Sequence, residues 1–151
     1  MSVVNTISGV AKTVVTLTEG WVASFVNLAL RLYVAEIFFK SGLTKIQSWD
    51  TTLILFEYEY AVPFISPELA AYSGTAAELI LPVLLVIGLG GRFAAWALFV
   101  FNIMAVVSYP DLNEIGKVWH YAWGLALLIP MFYGPGILSI DHWLRRKFMS
   151  D

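Results

Sequence analysis

Four apolar segments, each close to the length that crosses a bilayer, are the main constraint on how this chain can fold. A helix needs about 20 mostly apolar residues to cross the hydrocarbon core of a membrane. Prolines and glycines, which interrupt or end helices, separate the segments. We therefore predict an all-α integral membrane protein, a single domain over residues 1–151 that forms a four-transmembrane-helix bundle. The predicted spans are residues 21–46, 69–89, 93–109 and 118–133.

Two shorter helices are predicted at the ends of the chain. Near the N-terminus, apolar residues recur at helical spacing, at Val3, Ile7, Val10, Val14 and Leu17. This pattern predicts an amphipathic helix that lies in the membrane interface, with a frayed terminus as the alternative. Residues 1–20 lack a basic start followed by an apolar core, so no cleavable signal peptide is expected. Residues 141–147 predict a short interfacial tail helix.

Composition supports the membrane assignment and excludes several functional classes. Hydrophobic residues make up 59% of the chain and charged residues 13%, whereas soluble domains average about 25% charged residues. The net charge of −2, without a basic run, excludes nucleic acid as a partner. The chain has no cysteine and therefore no disulfide, iron–sulfur cluster or thiolate zinc site of its own.

The two histidines argue against a haem. His120 and His142 are 22 positions apart, which is about 33 Å along a continuous helix, so they cannot both ligate one haem. Few histidines, no cysteine and no clustered carboxylates within the spans also leave no basis for a metal site.

The distribution of charge predicts the orientation of the chain. The loop between the second and third spans carries Arg92, and the tail carries three basic residues, whereas the other two loops are mainly acidic. The positive-inside rule places the basic side, and with it both termini, in the cytoplasm. We expect a multi-pass protein of a bacterial-type inner (cytoplasmic) membrane, in contact with lipid.

Polar residues inside three predicted spans form the first candidate site. Ionisable groups at mid-bilayer are costly and usually face the bundle interior. Counted from the cytoplasmic ends of their spans, Arg31, Glu78 and Asn102 each lie roughly 15 Å deep. A proline stands four residues after Glu78, and another stands four residues after Ala126. Because proline has no backbone N–H, the carbonyl groups of Glu78 and Ala126 lose their helical hydrogen-bond donors near the same layer. Two interpretations stay open, a buried Arg31–Glu78 ion pair that only holds helices together and a polar pocket that binds a ligand.

Further candidate residues lie towards the outer surface. Lys45 projects within about 40° of Arg31 and either snorkels to the surface or reaches into the bundle. His120 and Trp119 begin the fourth span at a similar level. Together, Lys45, His120 and Trp119 predict an outward-facing mouth, with an ordinary interfacial histidine as the alternative.

Glu36 and Lys40 point to the opposite side of the first span. Their i,i+4 spacing favours an ion pair. Because a pair that faces lipid is costly, we expect these two residues to face a partner.

Two motifs resemble the DoxX family. In the first span, Arg31 precedes an apolar run that ends in Gly42 and Lys45. In the second, Glu78 begins a Glu-Leu pair that is followed by a Leu-x-x-Gly-Leu run and by Arg92. Asn102 and Met104 also suit the family, and the resemblance covers about residues 25–135.

The resemblance implies a four-helix inner-membrane protein. Members include a subunit of a thiosulfate:quinone oxidoreductase and membrane proteins tied to redox homeostasis through partner proteins. This chain departs from the oxidoreductase type in having no large extramembrane domain and no cysteine. Because fold transfers between relatives better than activity does, whether the chain is an enzyme stays open.

Three functions fit these features. The first is a redox-associated membrane subunit that binds a quinone in the buried polar pocket and has no covalent cofactor. The second is a non-catalytic anchor or assembly factor that recruits a partner through its acidic outer loop and the Glu36/Lys40 face. The third is a small-molecule or ion conduit with Glu78 as the proton or cation site, although no inverted repeat is visible. The expected partners are a second copy in a homo-oligomer or other membrane and redox proteins.

Overall fold

A computed structural model of the protein describes residues 7–9, 12–13, 15–16 and 18–149. From residue 18 onward, a π-helical turn and six α-helices follow one another, and no strand occurs among the described residues. The turn is Thr18–Val22, and the helices are α1 (Ala23–Gln47), α2 (Trp49–Tyr58), α3 (Pro67–Ile87), α4 (Gly91–Ser108), α5 (Glu114–Tyr133) and α6 (Ile140–Phe148). The all-α prediction is thereby confirmed for this part of the chain.

Three helical segments are long and apolar enough to cross a membrane. They are Gly20–Gln47, Pro67–Ile87 and Gly91–Ser108, and they correspond to the first three predicted spans. The predicted fourth span coincides with α5, but the first turns of α5 carry Glu114, Lys117 and His120. The helix α5 is thus present, while its passage through the membrane stays a prediction.

The chain ends differ in how far they can be compared with the sequence predictions. The predicted tail helix is present as α6. The predicted N-terminal amphipathic helix lies mostly outside the described residues, since Val3, Val10, Val14 and Leu17 are not among them. Ile7 is described, and it is helical and exposed.

Helix α2 is an element that the sequence prediction treated as a loop. Its Phe56 is buried against Ala70 and Ala71 at the start of α3, with Trp49 and Leu53 partly buried beside them. The Thr52 hydroxyl donates to the Lys45 carbonyl oxygen at 3.0 Å, which ties α2 to the end of α1. These contacts hold α2 across one end of the bundle.

The four long helices pack as an antiparallel bundle. α1 lies along α3 and α4 lies along α5, with further contacts between α3 and α4 and between α1 and α5. The core includes Val34 and Phe38 of α1, Leu85 of α3, Leu98 of α4 and Leu127 of α5. In a bundle whose outer surface faces lipid, close packing of this kind is a main source of helix association.

Charge distinguishes the two ends of the bundle. The basic end holds the first turn of α4, with Arg92, and helix α6 with its last-turn basic residues. The acidic end holds α2, the segment between α2 and α3, the first turn of α3 and the α4–α5 loop, and it carries Glu57, Glu59, Glu68 and Asp111. At the basic end, the Asp141 carboxylate accepts hydrogen bonds from the Gly90 and Gly91 amides at 2.9 and 2.8 Å. It therefore caps α4 from outside and holds α6 against the bundle.

Candidate functional site

Arg31 is fully buried, but it does not contact Glu78. Its guanidinium donates to the carbonyl oxygens of Leu85 at 3.1 Å, Val86 at 2.9 Å and Leu138 at 2.7 Å. The first two carbonyls belong to the last turn of α3, where helix carbonyls lack partners within the helix. Arg31 is thus a cationic cap on α3, and the Arg31–Glu78 ion pair considered from the sequence is not formed.

The shared depth inferred for Arg31 and Glu78 was wrong because the spans do not begin level. Asn27 of α1 donates to the carbonyl oxygen of Gly134, the residue that follows α5, at 2.8 Å. The first turns of α1 therefore extend beyond the basic ends of the other helices, and Arg31 lies beside the end of α3. Helical side chains also point towards the N-terminus of their helix, which turns Arg31 further towards the basic end.

Glu78 instead pairs with Lys45. The Lys45 ammonium lies 2.8 and 2.7 Å from the two Glu78 carboxylate oxygens and 2.9 Å from the Ser41 hydroxyl. Ser41 in turn donates to Glu78 at 3.0 Å. Because α1 and α3 are antiparallel, Lys45 and Glu78 point towards each other along the bundle axis. Both side chains are shielded, with 16% of Lys45 and 7% of Glu78 exposed.

Gly42 lets α1 and α3 approach closely enough for this pair. A Cβ atom on Gly42 would lie 2.9 Å from the Leu79 side chain and 3.0 Å from the Glu78 Cβ. Small residues at such positions allow helix backbones to come together in membranes. The Gly-x-x-Lys spacing noted in the sequence therefore has a physical basis, since glycine provides the approach and lysine uses it.

Asn102 and His120 form a second polar pair between α4 and α5. The Asn102 amide nitrogen donates to the His120 carbonyl oxygen at 2.9 Å, and its amide oxygen lies 2.8 Å from His120 Nδ1. An amide oxygen only accepts, so Nδ1 carries the proton, and Nε2 of the neutral ring is left as an acceptor. The Trp123 ring packs edge-on against His120 at 4.7 Å and fixes the plane of the imidazole.

A cavity of about 470 Å³ at the acidic end brings Lys45, Glu78 and His120 together. Its remaining polar lining includes Ser41, Tyr60, Ser108 and Tyr109, and its apolar lining includes Phe56, Val62, Ile65, Ala77, Phe101 and Met104. We call this space the acidic-end cavity. Its volume lies within the range of sites that bind small organic molecules, about 300–1,000 Å³.

The hydroxyl groups of the acidic-end cavity supply donors. Ser108 is buried, and its hydroxyl has no hydrogen-bond partner among the residues that the structure describes. Burial raises the pKa of the Tyr60 phenol, and Tyr109, Glu78 and Glu59 raise it further, so the phenol stays protonated and can donate. The Ala61 amide donates to the Ser108 carbonyl oxygen at 2.7 Å, which holds Tyr60 and its segment against the end of α4.

The other candidate residues lie outside this cavity. Arg31 does not line it, and Trp119 is half-exposed at the start of α5 and does not line it either. Glu36 and Lys40 form an ion pair at 2.6 Å on another face of α1, with 61% and 71% of their side chains exposed. Among the described residues, no group of three or more His, Asp or Glu side chains could hold a metal ion.

Sequence reasoning missed Ser41, Tyr60, Ser108 and Tyr109. Ser41 stands one helical turn before Lys45, a signal that was available within the first motif. Trp49, Leu53, Phe56 and Tyr60 recur at spacings of four, three and four, which is the period of a buried helix face. That period was the available signal for α2 and for the wall that it adds to the cavity.

Comparison with known proteins gives one family match. The DoxX family model matches residues 26–110, more than half of the chain, from early α1 to the end of α4. The match includes Lys45, Glu78 and Asn102 and stops before His120. No curated protein and no solved structure matches the chain.

Proposed function

We propose a function for this chain from the premise that it belongs to the DoxX family of membrane proteins. The proposed function is binding of a quinone or quinol in the acidic-end cavity, as the membrane subunit of a redox system. The observation that carries it is one cavity with aromatic and aliphatic walls that also exposes the Lys45–Glu78 pair, His120 and hydroxyl donors. Such a combination suits a flat apolar ring with polar oxygens.

The polar groups match both redox forms of the ligand. A quinone carbonyl accepts hydrogen bonds. The unpartnered Ser108 hydroxyl and the protonated Tyr60 phenol both line the cavity and can donate them. A quinol hydroxyl donates, and His120 Nε2 is an acceptor in the neutral tautomer that Asn102 selects. His120 is therefore the proposed site at which a quinol proton is held.

The Lys45–Glu78 pair also supports a ligand site over a purely structural link. Holding two charges away from water is costly, and the pair gives little net stability compared with apolar residues of similar size. The ammonium already contacts the Ser41 hydroxyl and both carboxylate oxygens. Its three protons are thus used, and the pair places a fixed dipole, rather than a free donor, in the lining of the cavity.

An equilibrium binding experiment tests this function. The purified full-length protein in lipid nanodiscs is titrated with the reduced, quinol form of a short-chain ubiquinone analogue, and quenching of tryptophan fluorescence reports binding. His120→Ala is expected to raise Kd about tenfold, which corresponds to about 1.4 kcal/mol. His142→Ala, at the basic end, is the matched control and should leave Kd unchanged. Equal Kd values for His120→Ala and the unmodified protein would overturn the proposal.

A second function, membrane anchor or assembly factor, is favoured by the Glu36–Lys40 pair. Both side chains are mostly exposed within a helix long and apolar enough to cross a membrane. Charged groups in spanning helices normally face protein rather than lipid, so we propose that a helix of a partner packs on this pair.

Because the chain lacks cysteine, Tyr33→Cys on this face gives a unique cross-linking site. A specific cross-link to a partner from Tyr33→Cys, and none from Ile103→Cys on α4, would support the anchor or assembly role. Equal cross-linking from the two positions would contradict it.

A further inference from the structure

A second cavity, of about 600 Å³, lies at the basic end, separate from the proposed quinone site. It is bounded by the start of α1, the end of α5, the following loop and α6. We call it the basic-end cavity. From its charge and its unpartnered groups we infer that it binds the headgroup of an anionic phospholipid, of the phosphatidylglycerol class.

The cationic side chains of the cavity are available to a phosphate. Arg92 and Arg145 both line it. The only hydrogen bond of the Arg92 guanidinium among the described residues is a long one, 3.5 Å, to the Tyr133 carbonyl oxygen. Arg145 forms no ion pair within the described part of the chain. Guanidinium groups match phosphate oxygens in geometry and charge, so two of them at one cavity favour a phosphodiester.

The carboxylate in the cavity does not cancel this preference. Asp141 also lines the cavity, but both of its oxygens accept backbone amides, Gly90 at 2.9 Å and Gly91 at 2.8 Å. Its charge is therefore directed at the first turn of α4, where a helix N-terminus stabilises an anion. The cavity keeps the two guanidinium groups and His142 for a ligand.

Asn27 indicates what the headgroup carries besides phosphate. Only 5% of Asn27 is exposed, it lines the cavity, and its amide oxygen has no hydrogen-bond partner within the described part of the chain. Its amide nitrogen already donates to Gly134, so the free oxygen requires a donor. A glycerol headgroup supplies hydroxyl donors next to its phosphate and retains a net negative charge.

The apolar rim of the cavity suits the remainder of a lipid. Val22, Val26 and Ile129 line one side, and each is more than a third exposed. α6 presents Trp143 and Phe148 to its surroundings, and Lys147 lies 4.9 Å from the Trp143 ring centre. A short helix with apolar and basic faces is typical of the membrane interface. In this arrangement the lipid headgroup lies at Arg92 and Arg145, and the acyl chains lie along the apolar rim.

The proposal is tested by measuring which lipids the protein retains. The full-length protein is reconstituted in nanodiscs of equal phosphatidylglycerol and phosphatidylcholine, re-extracted with mild detergent, and its retained lipid is counted by mass spectrometry. Phosphatidylglycerol should be enriched, and Arg145→Gln should lower the enrichment about fivefold, the factor for about 1 kcal/mol per basic residue near an anionic lipid. Lys147→Gln removes the same charge from the same helix outside the cavity and should have little effect.

Two other outcomes would overturn the inference. Equal losses of phosphatidylglycerol enrichment in Arg145→Gln and Lys147→Gln would indicate general attraction between the basic surface and anionic lipid. Equal retention of the two lipids by the unmodified protein would show that the cavity has no preference for the anionic one. A thermal-unfolding series separates the lipid from its phosphate. Dioctanoyl phosphatidylglycerol should raise Tm, and inorganic phosphate at the same concentration should not. An equal rise with inorganic phosphate would contradict a lipid site.

Discussion

Lys45 and Glu78 form the one buried ion pair between helices in the described part of the chain, with 2.7 Å between the ammonium and the nearer carboxylate oxygen. The pair joins α1 to α3 and lines the acidic-end cavity. Two antiparallel helices direct these side chains towards each other, and Gly42 sets the distance between the backbones. The packing of α1 against α3 and the polarity of the cavity thus involve the same contact.

Removing one member of this pair is expected to be more damaging than removing both. Lys45→Met leaves a buried carboxylate without its partner, at a cost of about 3–5 kcal/mol in the free energy of unfolding. Lys45→Met combined with Glu78→Gln removes both charges and should recover more than half of that loss. Thermal unfolding in detergent measures both variants. A single variant as stable as the double variant would show that the pair is not effectively buried.

Gly42→Ala tests the close approach of α1 and α3. The added Cβ lies 2.9 Å from Leu79 and 3.0 Å from the Glu78 Cβ, so the helices must move apart. Overpacking of this kind costs about 1–3 kcal/mol. Gly20→Ala is the control, since nothing lies within 4 Å of its added Cβ. Comparable unfolding midpoints for the two variants would argue against the contact.

Arg31→Met should affect stability and leave the cavity intact. The substitution removes the donors to three carbonyl oxygens at the end of α3, and each unsatisfied buried group costs about 1–3 kcal/mol. Hydrogen exchange should therefore rise at the end of α3. The Kd for the quinone analogue should stay unchanged in the folded protein, because Arg31 does not line the acidic-end cavity. A raised Kd with normal exchange would restore Arg31 to the binding site.

Asn102→Leu should weaken quinol binding through His120. The substitution keeps the imidazole but removes the acceptor that fixes its Nδ1 proton. We expect a rise in Kd close to that of His120→Ala, about tenfold. The double variant should be no weaker than either single variant, since both remove one interaction. Additive losses would mean that Asn102 and His120 act independently.

The fold was predictable where length and apolar composition determine it. Predicted spans and observed helices agree for α1, α3 and α4, and α5 occupies the fourth segment. α2 was not predicted, because its sequence lies among Asp50, Glu57 and Glu59 and reads as an acidic loop. The helical structure of α2 depends on its contacts with α3, and the amphipathic period of the sequence alone indicated a helix only weakly.

The site was predictable by residue type but not by partner. Glu78, Asn102, Lys45 and His120 were candidates from charge and position, and the structure brings them to one cavity or its wall. Which cation meets Glu78 depends on the register between α1 and α3. Counting from Trp21 assumes that all spans begin level, and α1 extends past the others at the basic end. Register is a tertiary property that composition does not encode.

Photolabelling tests the proposed quinone site most directly. An azido-quinone is irradiated with the full-length protein in nanodiscs, and the labelled peptides are identified by mass spectrometry with and without excess unlabelled quinone. We predict competed labels on peptides that hold Phe56 and Tyr60, and on those that hold Phe101 to Tyr109, around the acidic-end cavity. With the probe reduced to its quinol form, His120→Ala should reduce them. Labels confined to the lipid-facing surface, or labels that excess quinone does not reduce, would contradict the account.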